Sequence, residues 1–258
     1  MRRVTIIGAG MAGLRAALEF VTSGDWEVVM VEKSSSVGGR VATRRLIGSL
    51  VNHGAESFHG VARVQKLDPL AREWDLREVF PGAATELPKR MRDRLLLHPA
   101  RFRLRTGWAA RAVEGGTVTG PEGESIAADV VLITAPVPQA ELLLHREIPG
   151  VRYAKAVLFI GEQDGQAVRR EMDEAWSETH FELSDDVLLA AGAASESLAV
   201  KKWRYARVRA GLAKWFLALD QKTIVAGDAF DPHGVYDLSA SWLSGLQAAR
   251  YIMEKNDE

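Results

Sequence analysis

The residues best suited to chemistry lie near the start of the chain. An apolar run, Val4-Thr5-Ile6-Ile7, leads into Gly8-Ala9-Gly10-Met11-Ala12-Gly13. A second apolar run, Val28-Val29-Met30-Val31, ends in Glu32. A G-x-G-x-x-G turn between strand and helix, with an acidic residue closing the next strand, is the pattern that holds a dinucleotide. Gly8 permits the tight turn, Gly10 lets the backbone approach a pyrophosphate, and Gly13 lets the helix pack closely on the strand. The pyrophosphate would rest on the N–H groups and positive dipole end of that helix. Glu32 can accept a hydrogen bond from a ribose 2′-OH, and its charge would repel a 2′-phosphate. The pattern therefore suits FAD or NAD and disfavours NADP. The plainer alternative is a glycine-rich turn in a doubly wound fold that binds nothing.

A second signature follows at once. After Lys33 comes Ser34-Ser35-Ser36-Val37-Gly38-Gly39-Arg40-Val41-Ala42-Thr43-Arg44-Arg45. A plain NAD domain has no need of this loop. A glycine pair followed by Arg and Thr suits a loop that crosses the pyrophosphate and reaches a flavin ring. Arg40 could neutralise pyrophosphate charge or be a solvated loop residue. Arg44 and Arg45 could line a pocket for an anionic substrate or form an exposed, salt-bridged pair. His53, His180 and His233 are candidate acid/base groups, because imidazole titrates near neutral pH; each could equally be structural. Trp203 and Tyr205, two apart on a strand, share a face and would meet a flavin, a substrate or simply the core. Hydride transfer leaves negative charge on a flavin, and a helix N-terminus stabilises it. The helix beginning near Leu238, with Ser239 and Ala240 in its first turn, is the candidate. No histidine pair has helical spacing with an acid, and there is neither a Gly-x-Ser-x-Gly elbow nor a P-loop.

The elements that must position these residues read as an α/β fold. Strands are expected at 3–7, 27–32, 101–113, 117–119, 129–136, 153–160, 187–191 and 223–228. Helical spacing covers 11–23, 61–75, 86–97 and 238–254. The expected dinucleotide-binding domain is discontinuous, comprising 1–60, 100–145 and 222–258, with a small substrate domain from 61–99 and 146–221. The chain has 258 residues, 47% hydrophobic and 26% charged, with net charge −1. That balance offers no footprint for nucleic acid or an anionic membrane. The absence of cysteine excludes disulfides, thiolate metal sites and a cysteine-linked flavin, and is compatible with a cytoplasmic protein. No apolar run is long enough to span a bilayer, and a strand at the very start leaves no room for a signal peptide.

Several stretches, in order along the chain, resemble renalase-like FAD-dependent oxidoreductases, a branch of the flavin amine oxidase superfamily. They are Gly38 to Arg45; Asn52-His53-Gly54-Ala55-Glu56-Ser57-Phe58; Ala128 to Ala140; Trp176-Ser177-Glu178-Thr179-His180; Lys202-Trp203-Arg204-Tyr205-Ala206; and Gly227-Asp228 with Ser241-Trp242-Leu243-Ser244-Gly245-Leu246. The resemblance implies a Rossmann-like FAD-binding domain (GR2-type) with a small inserted α+β substrate domain containing an antiparallel sheet. It implies non-covalent FAD held by Gly8 to Gly13, Glu32, Lys33, Gly38, Gly39, Arg40, Val41, Ala42, Thr43, Ala135, Gly227, Asp228, Leu238, Ser239 and Ala240, with Asp228 clamping the ribityl hydroxyls. It further implies hydride transfer from a small reduced substrate, a dihydronicotinamide or an amine, with oxygen available as acceptor. Arg44 is then the candidate substrate-side charge and Tyr205 a pocket wall. The chain departs from the family pattern in a compressed middle region, in Asn52 for an acid, and in Ser57 for an aromatic. A flavin-binding or electron-transfer module with little catalysis of its own is the alternative function.

Overall fold

The structure is a computed structural model that describes residues 1–46, 48–55, 57–164, 166–191 and 197–256; Glu56, within one of the family-like stretches, lies outside them. The chain starts with β1 (Arg2–Ile7), α1 (Met11–Ser23) and β2 (Trp26–Glu32). All of β2 is buried, as expected of a strand covered on both faces. A hairpin follows, β3 (Thr43–Leu46) and β4 (Ser49–Asn52), then α2 (Val61–Leu67), α3 (Pro69–Glu73) and α4 (Glu86–Leu96). The helix expected over 61–75 is thus two helices. Pro69 has no N–H to continue the first, and the Asp68 side chain instead accepts from Leu70 N–H to cap the second.

Next come β5 (Phe102–Thr106), a small antiparallel sheet of β6 (Ala112–Glu114), β7 (Thr117–Thr119) and β8 (Ser125–Ala127), then β9 (Val130–Ile133) and α5 (Val137–Leu144). The strand expected over 101–113 is therefore interrupted after Thr106. A three-stranded antiparallel unit follows, with β10 (Arg152–Gln163) between β11 (Gln166–Glu171) and β12 (Ser197–Ala210), backed by α6 (Glu174–His180) and α7 (Asp185–Ala191). The strand expected at 187–191 is instead helix α7. The chain then returns through β13 (Leu217–Ala218), β14 (Thr223–Val225) and α8 (Leu238–Lys255).

The main sheet has the order β13-β14-β9-β1-β2-β5. Its strands run parallel except at the β13 edge. Strand alternation divides the core. Val4, Ile6, Val28, Met30 and Leu132 face α1, α4 and α8, where Leu14, Phe20, Met91, Leu95, Trp242 and Leu246 join them. Ile7, Val31, Val131 and Ile133 face the other way, against Trp108, Val113, Val118 and Phe230. Residues Val61, Val64 and Ala71 of α2 and α3 also belong to the first core. A third, small core of Val157, Phe159, Phe181 and Leu188 sits beneath α6 and α7.

Two close approaches fix α1. A Cβ on Gly13 would lie 2.1 Å from the Gly8 carbonyl oxygen, and one on Gly245 of α8 would lie 2.1 Å from that of Ala12. The two helices therefore touch backbone to backbone. Beside that contact Arg15, 2% exposed, donates through Nε to Asp68 at 2.6 Å, and Trp242 Nε1 donates to the same carboxylate at 2.6 Å. Burial alone would raise the Asp68 carboxyl, but the hydrogen bonds and charge of Arg15 outweigh it and hold the group below its usual range. Among the described residues no helix is long and apolar enough to cross a membrane.

Candidate functional site

A cleft of about 1170 Å³ opens at the carboxyl ends of the parallel strands, between the main sheet and the β10–β12 unit. This is where ligands bind in open α/β sheets. Gly8, Gly10, Met11, Ala12, Glu32, Lys33, Gly38, Gly39, Arg40, Val41, Ala135, Gly227, Asp228, Leu238 and Tyr205 all line it. Five separate stretches of chain thus converge on one space. A Cβ on Gly10 would meet nothing within 4 Å, so its backbone faces open room. The volume exceeds the roughly 300–1,000 Å³ of pockets for drug-sized molecules, which suits a dinucleotide.

Ala9, Gly13, Ala42, Thr43, Arg44, Ser239 and Ala240 do not line the cleft. Ala9 donates its amide to Glu32 Oε2 at 2.9 Å, while Ser34 donates to Oε1 at 2.8 Å. Glu32 therefore shapes both glycine-rich turns and keeps lone pairs for a ribose. Gly13 is a packing residue. The Ala42 carbonyl accepts from His53 N–H. Thr43 donates to Asn52 Oδ1 at 2.6 Å and accepts from Thr85 N–H at 3.2 Å, which makes it a tie between the hairpin and α4. Arg44 is exposed on β3 and does not line the cleft. Ser239 and Ala240 are fully buried, and their amides donate to the Asp237 carboxylate, the cap of α8. Two of the first amides of α8 are thus occupied by an anion of the chain itself. Leu238 and Ser241 are the parts of that turn that line the cleft.

At the cleft's centre Arg40 pairs with Asp228 at 2.6 Å and donates to the Tyr205 carbonyl at 2.9 Å. Tyr153 donates its hydroxyl to the other Asp228 oxygen at 3.0 Å and stands edge-on to Tyr205. Burial first, then the Asp228 charge, push the Tyr153 phenol up, so it remains a donor. This links the main sheet to the antiparallel unit, whose β10 places Ala156 and Leu158 in the cleft and Val157 and Phe159 in the small core behind.

His53 lines the cleft at 8% exposure and stacks on Trp203 with centroids 5.8 Å apart. Trp203 Nε1 donates to the His53 carbonyl at 2.7 Å, and the buried His53 Nδ1 has no partner among the described residues. Burial first, then the positive charge of Lys201, hold the imidazole below its ordinary value. His180 and His233 do not line the cleft. His180 stacks on Trp176 at 4.1 Å, within the Trp-Ser-x-x-His stretch. That stretch lies on α6, where Ser177 Oγ accepts from Val157 N–H at 3.2 Å and Trp176 packs on Phe159.

The cations of β12 are largely matched. Lys202 pairs with Asp185, Arg204 with Glu182, Arg207 with Glu171 and Arg209 with Glu174. Sequence reasoning missed Tyr153, Asp237 and Trp108. Nothing local marks Tyr153 as a partner of Asp228. Asp237 carries a readable signal, an aspartate directly ahead of a helical run. Trp108 lines the cleft beside Glu32, whose carbonyl accepts its amide, and packs where a Cβ on Gly120 would lie 2.0 Å from its ring.

Comparison with known proteins matches residues 6–74 to a family model described as the NAD(P)-binding Rossmann-like domain. Polyamine oxidase 5 of Oryza sativa subsp. japonica is 35% identical over 74 residues, 29% of this chain and 15% of that protein. The L-amino acid oxidase of Cerastes cerastes is 52% identical over 44 residues, 17% of this chain and 8% of that protein. The matched stretch is therefore a small fraction of either relative. A solved structure, a candidate protoporphyrinogen oxidase from Exiguobacterium sp. 255-15, is 15% identical and superposes with a TM-score of 0.66, covering 98% of this chain and 99% of that one. Residues 6–74 thus resemble the NAD(P)-binding Rossmann-like domain, and the chain as a whole has a mixed α/β fold like that of the Exiguobacterium protein.

Proposed function

We propose that the protein is an FAD-dependent oxidoreductase that holds FAD non-covalently in the large cleft and oxidises a small reduced substrate there. The observation that carries this reading is the convergence of the Gly8–Gly13 turn, Glu32, Gly38-Gly39-Arg40 and Gly227-Asp228 on one cavity. The local likeness to a polyamine oxidase and an L-amino acid oxidase supports it. Bound FAD would supply a two-electron acceptor for a hydride from the substrate.

The chain's own groups do the rest. The Gly10 backbone and the α1 N-terminus receive the pyrophosphate, and Glu32 accepts from the ribose. Arg40 offers a counter-charge, and Asp228, oriented by Tyr153, accepts from ribityl hydroxyls. Trp203, Tyr205 and Leu158 wall the substrate side. A dihydronicotinamide loses its hydride without help from an acid or base. An amine is the second reading, favoured by His53, whose neutral imidazole could take up the ammonium proton beforehand. Arg44 then acts only through its charge near His53, not by touching substrate.

The test has two stages. Purified protein should bind added FAD and release all of it as FAD on acid denaturation. Anaerobic mixing of that holoprotein with dihydronicotinamide isomers, and separately with primary and secondary amines, should bleach the flavin with one set. Full FAD occupancy with no bleaching by either set would refute the enzymatic reading and favour a flavin-binding module.

A further inference from the structure

An ammonium group entering the large cleft needs a carboxylate, or the face of an aromatic ring, to receive it. The carboxylates that line the cleft are Glu32, Glu171, Asp228 and Asp237 among the described residues. Three of them are matched within the chain. Asp228 is held by Arg40 and Tyr153, and Glu171 by Arg207. Asp237 accepts from the His59 N–H, faces His59 Nδ1 at 3.0 Å, and caps α8. Glu32 has no cation, but it lies at the glycine-rich end, where Ala9 and Ser34 donate to it.

The wall made by β10, β11 and β12 is poorer still. β10 brings only Ala156 and Leu158 to the cleft, and Glu171 is the one carboxylate that these three strands place there. The cleft's two tryptophans already carry cations of the chain. The Arg105 guanidinium lies 5.2 Å from the Trp108 ring centroid, and Lys201 Nζ lies 4.8 Å from that of Trp203. Lys201 is half-buried. Unlike Lys202, Arg204, Arg207 and Arg209 on the same strand, it makes no ion pair among the described residues. Its charge also opposes protonation of His53, which stacks on the same tryptophan. A further cation brought against Trp203 would therefore meet a like charge in partly desolvated space, where repulsion is strong.

We propose that Lys201 is a specificity-determining residue, and that the substrate of this cleft is an uncharged or anionic molecule rather than a protonated amine. The inference rests on the proposed FAD site and decides between the two substrates considered there. It concerns binding alone and adds no chemical step. Lys201 acts by its place: its ammonium covers the ring that an amine would use, and its charge penalises the wrong ligand, as specificity often requires.

The test titrates three probes of one shape into the oxidised FAD holoprotein at neutral pH: benzylamine, which is protonated there, benzyl alcohol and benzoate. Binding is read from the flavin difference spectrum, not from turnover. Benzylamine should bind at least about tenfold more weakly than the other two, the scale of one like-charge contact in partly solvated space. Lys201→Met keeps an apolar stem beside the ring and removes the charge. It should tighten benzylamine about tenfold while leaving benzyl alcohol within about twofold. Benzylamine bound by the parent as tightly as benzyl alcohol would overturn the proposal, a ranking that stands whether or not the variant folds. So would a folded Lys201→Met protein with the parent's preference, or fully FAD-loaded protein that binds none of the three probes. A chain that takes up no FAD would overturn the cofactor reading and this proposal with it, and the flavin released on denaturation tells that case from the others.

Discussion

Gly10 and Gly13 stand one helical turn apart and should fail in different ways when given a side chain. A Cβ at Gly13 would lie 2.1 Å from the Gly8 carbonyl oxygen and 2.8 Å from Thr134 Oγ1. The turn itself must then shift. A 2.1 Å clash with backbone belongs to the upper part of the overpacking range, about 2–3 kcal/mol, of which the helix propensity of alanine over glycine offsets about 0.8–1.0 kcal/mol. Gly13→Ala should therefore lose about 1–2 kcal/mol, lowering Tm by roughly 2–8 °C for a chain of this size. A Cβ at Gly10 meets nothing within 4 Å, and φ −79°, ψ −174° suits any residue. Gly10→Val should leave the Tm of the cofactor-free protein within about 2 °C. Its side chain would instead occupy the room where a pyrophosphate approaches. Loss of one charge-assisted hydrogen bond, about 1.5–3 kcal/mol, weakens FAD binding roughly 10- to 150-fold. Thermal unfolding followed by circular dichroism gives the first quantity, and flavin fluorescence titration the second. Gly10→Val protein that binds FAD like the parent would show that the pyrophosphate does not lie against Gly10. An unchanged Tm in Gly13→Ala would refute the close packing.

Glu32→Ala should weaken FAD binding about tenfold or more and also lower Tm, because Ala9 and Ser34 lose their acceptor; an effect on neither would remove Glu32 from the site. Asp68→Asn should cost about 3 kcal/mol by leaving Arg15 buried with less counter-charge, read from urea midpoints at pH 7. Because Asp68 is held below its usual range, its contribution is present above about pH 4 and lost as pH falls through the lower folded-state value; the variant should show a shallower acid loss, and a parallel one would sink the idea. His53 is also held low, so below about pH 6.5 the unfolded chain takes up the proton first and stability falls until the folded-state value is reached. His53→Gln should flatten that slope in unfolding curves between pH 7 and 5, and an unchanged slope would contradict it.

The main sheet and its turns were legible because local pattern and global role agree there. Val4 to Ile7 and Val28 to Val31 are continuous apolar runs ending at glycine or acid, and each became a buried parallel strand. The short apolar run at 187–191 is ambiguous between strand and helix by periodicity. Asp185 and Asp186 at its head settle it as helix α7, since acids favour a helix N-terminus. The glycine-rich side of the cleft could be read because glycines and Glu32 act through backbone geometry encoded nearby. The side formed by β10 and β12 could not. Tyr153 reaches Asp228, and Trp203 reaches His53, only because β10 and β12 pair and turn one face toward the main sheet. Arg44 looked like a substrate contact by its place in a family-like stretch, but the β3–β4 hairpin leaves it exposed, away from the cleft lining. Ser239 and Ala240 looked free to meet a cofactor, yet Asp237 had already taken their amides.

The backbone contact between α1 at Ala12 and α8 at Gly245 bears on how the protein is made. On a ribosome β1, α1 and β2 emerge early, and α1 has nothing to cover the face that α8 later occupies. Only after β10 to β12 have been synthesised and have paired does α8 arrive to close that face. Closure over so long a separation in sequence is slow, and the open intermediate exposes apolar surface in the meantime. The Gly8–Gly13 turn lies far ahead of α8 in the chain, yet the helix it opens is packed by α8. The packing that fixes this turn is therefore completed late, and a nascent chain stalled before Gly245 carries the glycine motif without the helix that packs it.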